Sequence, residues 1–96
     1  APSKIQEALS VGLDTKEDLL IYIQDCYDAL FYYLDRLEHF ISSGLVREED
    51  VRSPVAYYAG QLGRQKGLIV GYAEAIGYPR ALRFLNRFEG WMTGLR

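Results

Sequence analysis

Residues 19–40 read LLIYIQDCYDALFYYLDRLEHF, and the spacing of their apolar side chains decides the predicted fold class. One row of them repeats at alternating steps of four and three residues, the heptad spacing of a helix that packs along another helix. We therefore predict an α-helix over residues 15–43, ended by Gly44. The row consists of Leu19, Ile23, Cys26, Leu30, Tyr33, Leu37 and Phe40. A neighbouring row, Leu20, Tyr27, Leu34 and Ile41, widens the predicted buried stripe, and the residues predicted to face solvent are Gln24, Asp25, Asp28, Asp35 and Ser42.

Residues 54–76 predict a second long helix, and its glycine content is unusual. Ser53 and Pro54 are a helix start signal, and Gly77 is a stop signal. Each glycine inside a helix costs roughly 0.5–1 kcal/mol relative to alanine, so some close contact should offset the set. We expect another backbone, or aromatic rings from residues 19–40, to pack closely on this row. The four glycines are Gly60, Gly63, Gly67 and Gly71.

The helix lengths predict an elongated molecule. At 1.5 Å per residue the two long helices would measure about 43 Å and about 35 Å, well beyond the ~13 Å radius of gyration of a compact domain this size. We therefore predict one all-α domain over residues 1–96, an antiparallel helical-hairpin bundle with a short N-terminal and a C-terminal helix. Its wide apolar stripe favours completion by a homodimer. The alternative is a monomer whose last helix covers the hairpin with Phe88 and Trp91.

Composition limits the class of protein and its compartment. Half of the chain is apolar and a quarter is charged, which is typical of a single globular domain and not of a disordered chain. Neither long helix contains eighteen consecutive apolar residues, so we expect no membrane span. The single cysteine, Cys26, falls on the predicted buried row. A buried free thiol suits a reducing compartment, which predicts a cytoplasmic protein.

Charge is unevenly distributed, although the net charge is only −2. The first fifty residues are acidic, and the remainder is basic. An arginine stripe in the last helix could bind an acidic protein or peptide, or the phosphates of a nucleic acid. It could equally form ion pairs with the acidic first long helix. The stripe consists of Arg80, Arg83 and Arg87, and the cations that could extend it are Arg64, Lys66 and Arg96.

Catalytic and metal-binding patterns are weak in this sequence. Asp35 and His39 stand one helical turn apart and suggest, as an alternative, a small-ligand or metal site in a helical bundle. The paired Glu-x-x-His motifs of di-iron bundles are missing, and so is the phosphate-loop motif. His39 lies thirteen residues from Cys26 on the same helix, too far for a nucleophile and its base. We therefore expect no enzyme and no cofactor.

Tyrosine is the remaining unusual feature, with eight residues and two adjacent pairs. Neighbouring helix residues point about 100° apart, so both members of a pair cannot face one buried row. Tyr33 and Tyr58 fall on the predicted rows, which leaves Tyr32 and Tyr57 outside. Exposed tyrosines are favoured at protein interfaces. The sequence therefore predicts a non-enzymatic interaction or scaffolding module that self-associates through its glycine-rich and aromatic-rich helices.

Overall fold

Six helices make up most of residues 3–92, the part of the chain that the computed structural model describes. These residues contain no β-strand, so the predicted all-α class is confirmed. No helix among them is both long and apolar enough to cross a lipid bilayer. Leu95 and Arg96 lie outside the described range. The helices are α1 (Lys4–Ser10), α2 (Asp18–Ser42), α3 (Glu48–Gly63), α4 (Lys66–Ile76), α5 (Pro79–Asn86) and α6 (Glu89–Met92).

Helix α2 is the longest element, and its limits lie within three residues of the predicted 15–43. Gly44 ends it in a left-handed conformation with φ of 81°. The backbone amides of Leu45 and Val46 then donate to the carbonyl of Phe40, at 2.9 and 3.3 Å. These bonds satisfy a carbonyl that the helix itself leaves without a partner.

The buried face of α2 is rotated by one residue from the predicted row. Its fully buried side chains include Leu20, Phe31 and Leu34, whereas Leu19 and Tyr33 are exposed. One residue of shift turns the buried face by about 100° around the helix axis. The predicted seam therefore lies at the edge of the core, and its outer half faces solvent.

Two polar residues of α2 face the core, and one of them, Gln24, was predicted to face solvent. Gln24 is buried, and its side-chain amide nitrogen donates a hydrogen bond to the backbone carbonyl of Ala8 at 2.9 Å. This bond connects α1 with α2. Glu38 is fully buried and pairs with an arginine described below. Cys26 is exposed, so its predicted burial is wrong, and the compartment argument built on that burial no longer holds.

The predicted second helix is two helices. Helix α3 begins at Glu48, six residues before Pro54, and its first turn is acidic, which the helix dipole favours. At Arg64 and Gln65 the amides bond three residues back instead of four, and the chain restarts as α4. The predicted single helix over 54–76 is therefore wrong.

The core lies where α2 meets α5, while α3 packs chiefly against α6. The predicted lengthwise pairing of two long helices is not confirmed, because α2 instead packs mainly on α5 and α1. The described chain measures 41 × 30 × 17 Å and has a radius of gyration of 13.8 Å, close to the ~13 Å of a compact domain this size, so the predicted elongated shape is not confirmed. Among the largest fully buried side chains are Phe31, Ile69, Phe84, Phe88 and Trp91, so the C-terminal aromatics fill the centre of the domain.

Candidate interaction surface

The predicted arginine stripe is divided between the interior and the surface. The Arg87 guanidinium donates two hydrogen bonds to the Glu38 carboxylate, from Nε to Oε1 at 2.7 Å and from Nη2 to Oε2 at 2.9 Å. Its third nitrogen, Nη1, donates to Glu48 Oε1 at 2.9 Å. Arg80 and Arg83 are exposed. Arg87 therefore has the internal acidic partner expected from the long helix, and its assignment to an exposed recognition stripe is corrected.

This ion-pair cluster joins three helices. Glu38 comes from α2, Glu48 from α3, and Arg87 follows α5 directly. Arg52 of α3 donates to Glu48 Oε2 at 2.7 Å and to the backbone carbonyl of Arg87 at 3.3 Å. Ser42 donates its hydroxyl to Glu38 Oε2 at 3.1 Å. No buried side-chain nitrogen or oxygen in the described part of the chain lacks a hydrogen-bond partner.

The electrostatics of the cluster follow from these bonds. Hydrogen bonds from Arg87 lower the pKa of Glu38, and burial of the carboxylate opposes them only in part. Hydrogen bonds from Arg52 and then Arg87 lower the pKa of Glu48. The hydrogen bonds of Arg87 with these two carboxylates raise the pKa of Arg87 itself, and the bonds with Glu38 contribute more than the bond with Glu48. All three groups are therefore held in their charged forms.

Acid is expected to destabilise the domain through this cluster. Because Glu38 and Glu48 have lowered pKa values when folded, the folded chain binds fewer protons than the unfolded chain does. Their contribution is complete above the ordinary glutamate pKa of 4.5 and is lost as the pH falls below it. Thermal denaturation followed by circular dichroism from pH 7 to pH 3 measures this. A variant with methionine at 38 and 87 should lose less stability over that range, and an equal loss in both proteins would contradict the assignment.

The two tyrosine pairs lie on the surface. Tyr32 is 49% exposed and Tyr57 is 58% exposed, as predicted. Tyr33 and Tyr58 are exposed as well, at 64% and 65%, so their predicted places on buried rows are wrong. In each pair the rings meet edge to face with centroids 5.4 Å apart.

The solvent side of α2 presents a continuous band of mostly apolar side chains, which we call the outer face. Six of its seven members are exposed, and Phe40 is half-buried. The guanidinium of Arg36 lies over the ring of Phe40, 5.3 Å from its centroid, so the single charge on this face covers an aromatic ring. The outer face consists of Leu19, Tyr22, Cys26, Ala29, Tyr33, Arg36 and Phe40.

The glycine row is close to another part of the chain at one position. A Cβ built on Gly63 would lie 2.6 Å from the carbonyl oxygen of Trp91. A Cβ on Gly67 or Gly71 would meet no atom of the described residues within 4 Å, so the predicted close packing at these two glycines is not found in this part of the chain. Gly60 is buried. Close backbone approach thus applies to Gly63, and it involves Trp91 rather than the aromatic helix.

The two exposed glycines line an open groove instead. Gly67 and Gly71 form part of its floor, and the loop after α1, including Val11 and Leu13, forms one wall. Its volume is about 260 Å³. The lining is largely apolar, and the hydroxyl of Tyr72 beside it already donates to Asp28 at 2.9 Å. Among the described residues that line the groove there is no charged side chain, and the hydroxyl of Ser10 donates to the carbonyl of Gln6 at 2.8 Å.

The metal alternative gains no support from the geometry. His39 is exposed, and its ring packs beside Phe40 with centroids 5.9 Å apart. Asp35 is half-buried on the same helix. Among residues 3–92 no three metal-binding side chains come together.

Sequence reasoning missed the ion-pair cluster and the size of the outer face. Glu38 and Arg87 are 49 residues apart, and no local pattern links them. The outer face was within reach of sequence reasoning, because Tyr22, Ala29 and Arg36 complete a second three-and-four spacing beside the predicted row. Comparison with protein-family models, with curated proteins and with solved structures found no match.

Proposed function

We propose that this chain is a non-enzymatic protein–protein interaction or scaffolding module that self-associates as a homodimer. The outer face of α2 carries the proposal. It extends for about 31 Å along the helix, taking 1.5 Å per residue from residue 19 to residue 40. Exposed aromatic side chains are common at interfaces because they bury a large area while losing few rotamers.

The position of the aromatic residues favours an interface over the simpler explanation that these rings are exposed only because their hydroxyl groups are in water. Tyr22 and Tyr33 are about two-thirds exposed, and Leu19 is 47% exposed, all along one line of one helix. Single exposed apolar residues are ordinary on protein surfaces, but contiguous apolar bands often mark interaction sites. The glycine-rich helix takes no part in this interface, because its exposed glycines, Gly67 and Gly71, lie on α4 and line the open groove.

Nucleic acid and acidic partners have less support. With Arg87 inside the domain, α5 offers only Arg80 and Arg83 as exposed cations among its described residues. The whole chain carries a net charge of −2, which opposes non-specific attraction to phosphates.

We also propose a cytoplasmic location. Cys26 is an exposed free thiol, and such a thiol stays reduced in a reducing compartment.

A Tyr33→Glu variant is expected to shift the protein from dimer to monomer, because it puts two carboxylates into an apolar interface. Light scattering across a concentration series should give a mass of about 22 kDa for the parent, twice its 11.0 kDa chain mass. Tyr58→Glu is the matched control, since Tyr58 has the same exposure and the same edge-to-face neighbour geometry on α3. A parent mass of 11.0 kDa at every concentration, or equal effects of both variants, would contradict the proposal.

A further inference from the structure

We infer that two copies of this chain pack their outer faces against each other in antiparallel orientation, around a two-fold axis at Ala29. This inference rests on the proposed self-association and adds its geometry. The outer face occupies positions 19, 22, 26, 29, 33, 36 and 40, which are separated by steps of three and four residues. When these positions are reversed about position 29, they coincide to within one residue, about 1.5 Å along the helix. One outer face can therefore lie on another along its whole length.

Reversal brings the large Tyr33 ring beside a small side chain. Position 33 comes within one residue of position 26, so the Tyr33 ring of one copy lies beside Cys26 of the second copy. Leu19 comes within one residue of Phe40 in the same way. At the axis Ala29 meets the second Ala29, which allows the helix axes to approach to about 8 Å, the lower end of usual helix packing.

The charges are complementary in the same register. Tyr22 comes opposite Arg36 of the second copy, and a guanidinium stacks well on a tyrosine ring. Asp25 of the first copy lies within one helical turn of that same arginine of the second copy. A parallel dimer would instead place the two Arg36 side chains together and the two bulky Tyr33 rings together, while leaving a gap at Ala29. Size and charge both favour the antiparallel arrangement.

The area of the outer face is adequate for a stable dimer. A buried aromatic side chain contributes about 150–250 Å². With Tyr22 67%, Tyr33 64% and Leu19 47% exposed, the outer face presents on the order of 600 Å² per copy. A dimer would bury about 1,200 Å² in total, which is at the lower end of the range for specific protein interfaces.

Disulfide trapping tests the axis directly. The probe is the full chain carrying Ala29→Cys and Cys26→Ser, exposed to a mild oxidant at a concentration where light scattering detects dimer. We expect most of it to become a covalent dimer, because the two residues at position 29 face each other on the axis. The parent protein is the matched control. Its two Cys26 residues would be six residues apart along the axis, about 9 Å, which exceeds the ~7 Å limit between Cα atoms of a disulfide.

The outcomes separate this inference from the proposed function. Trapping at position 29 with little trapping of the parent supports the antiparallel register. Efficient trapping of the parent at Cys26 overturns it in favour of a parallel pair. A dimer by light scattering that is trapped at neither position also overturns the register, although self-association then stands. A monomer by light scattering at all concentrations overturns both.

Discussion

An Arg87→Met variant is expected to lose about 3–5 kcal/mol of unfolding free energy, because removing one partner leaves a buried charge uncompensated. Glu38 is fully buried, and two of the three hydrogen bonds that its carboxylate accepts come from Arg87. Glu48 loses a partner at the same time. Urea denaturation followed by circular dichroism gives the difference.

Arg83→Met is the matched control for this variant. Arg83 lies one turn earlier on α5 and is exposed, so the same change there should alter stability by less than about 0.5 kcal/mol. The double variant Arg87→Met, Glu38→Met should be more stable than Arg87→Met alone, because no unpaired carboxylate remains. If Arg87→Met is no more harmful than Arg83→Met, the cluster does not stabilise the fold.

The response to pH distinguishes an unpaired charge from lost packing. Without Arg87, burial should raise the pKa of Glu38 above its ordinary value, reversing the direction found in the intact domain. The folded variant would then bind more protons than the unfolded chain, so its stability should rise as the pH falls toward the glutamate range. A simple packing defect would show no such rise. The parent protein should instead lose stability as the pH falls below 4.5.

Local periodicity predicted where α2 begins and ends, but not which side of it is buried. Two heptad rows run side by side through residues 19–41, and both are rich in apolar residues. The row that is buried in the structure, shifted by one residue from the predicted row, contains Gln24 and Glu38. From their local sequence alone, these two residues would be expected to face solvent. Their partners are the carbonyl of Ala8 and the side chain of Arg87, so burial depends on contacts distant in sequence.

The division of the second helix has a similar cause. Ser53 and Pro54 resemble a helix start, yet the acidic residues at 48–50 begin α3 earlier. The spacing of the glycines predicted one continuous row that would pack closely against another part of the molecule. In the structure Gly63 ends α3 beneath the backbone of Trp91, whereas Gly67 and Gly71 belong to a different helix and face an open groove. No pattern within residues 54–76 could show that a residue 28 positions later lies against one glycine.

A Gly63→Ala variant is expected to lose about 2–3 kcal/mol, a typical cost for forcing extra atoms into a well-packed site. The new Cβ would lie 2.6 Å from the Trp91 carbonyl oxygen and 3.2 Å from the Trp91 Cβ, so the backbone around Trp91 must move. Trp91 is the single tryptophan and is fully buried, with its indole N–H donating to Asn86 at 2.9 Å. Its fluorescence should therefore shift to longer wavelength as the contact opens.

Gly71→Ala is the matched change for Gly63→Ala, and its effect should have the opposite sign. Gly71 lies in the middle of α4, is exposed, and has no atom within 4 Å of a built Cβ. Alanine there should raise the free energy of unfolding by about 0.5–1 kcal/mol through helix propensity alone, with unchanged tryptophan emission. Since the two substitutions add the same methyl group, a difference in sign isolates the contact with Trp91. Equal stability of the two variants would mean that this close approach does not constrain Gly63.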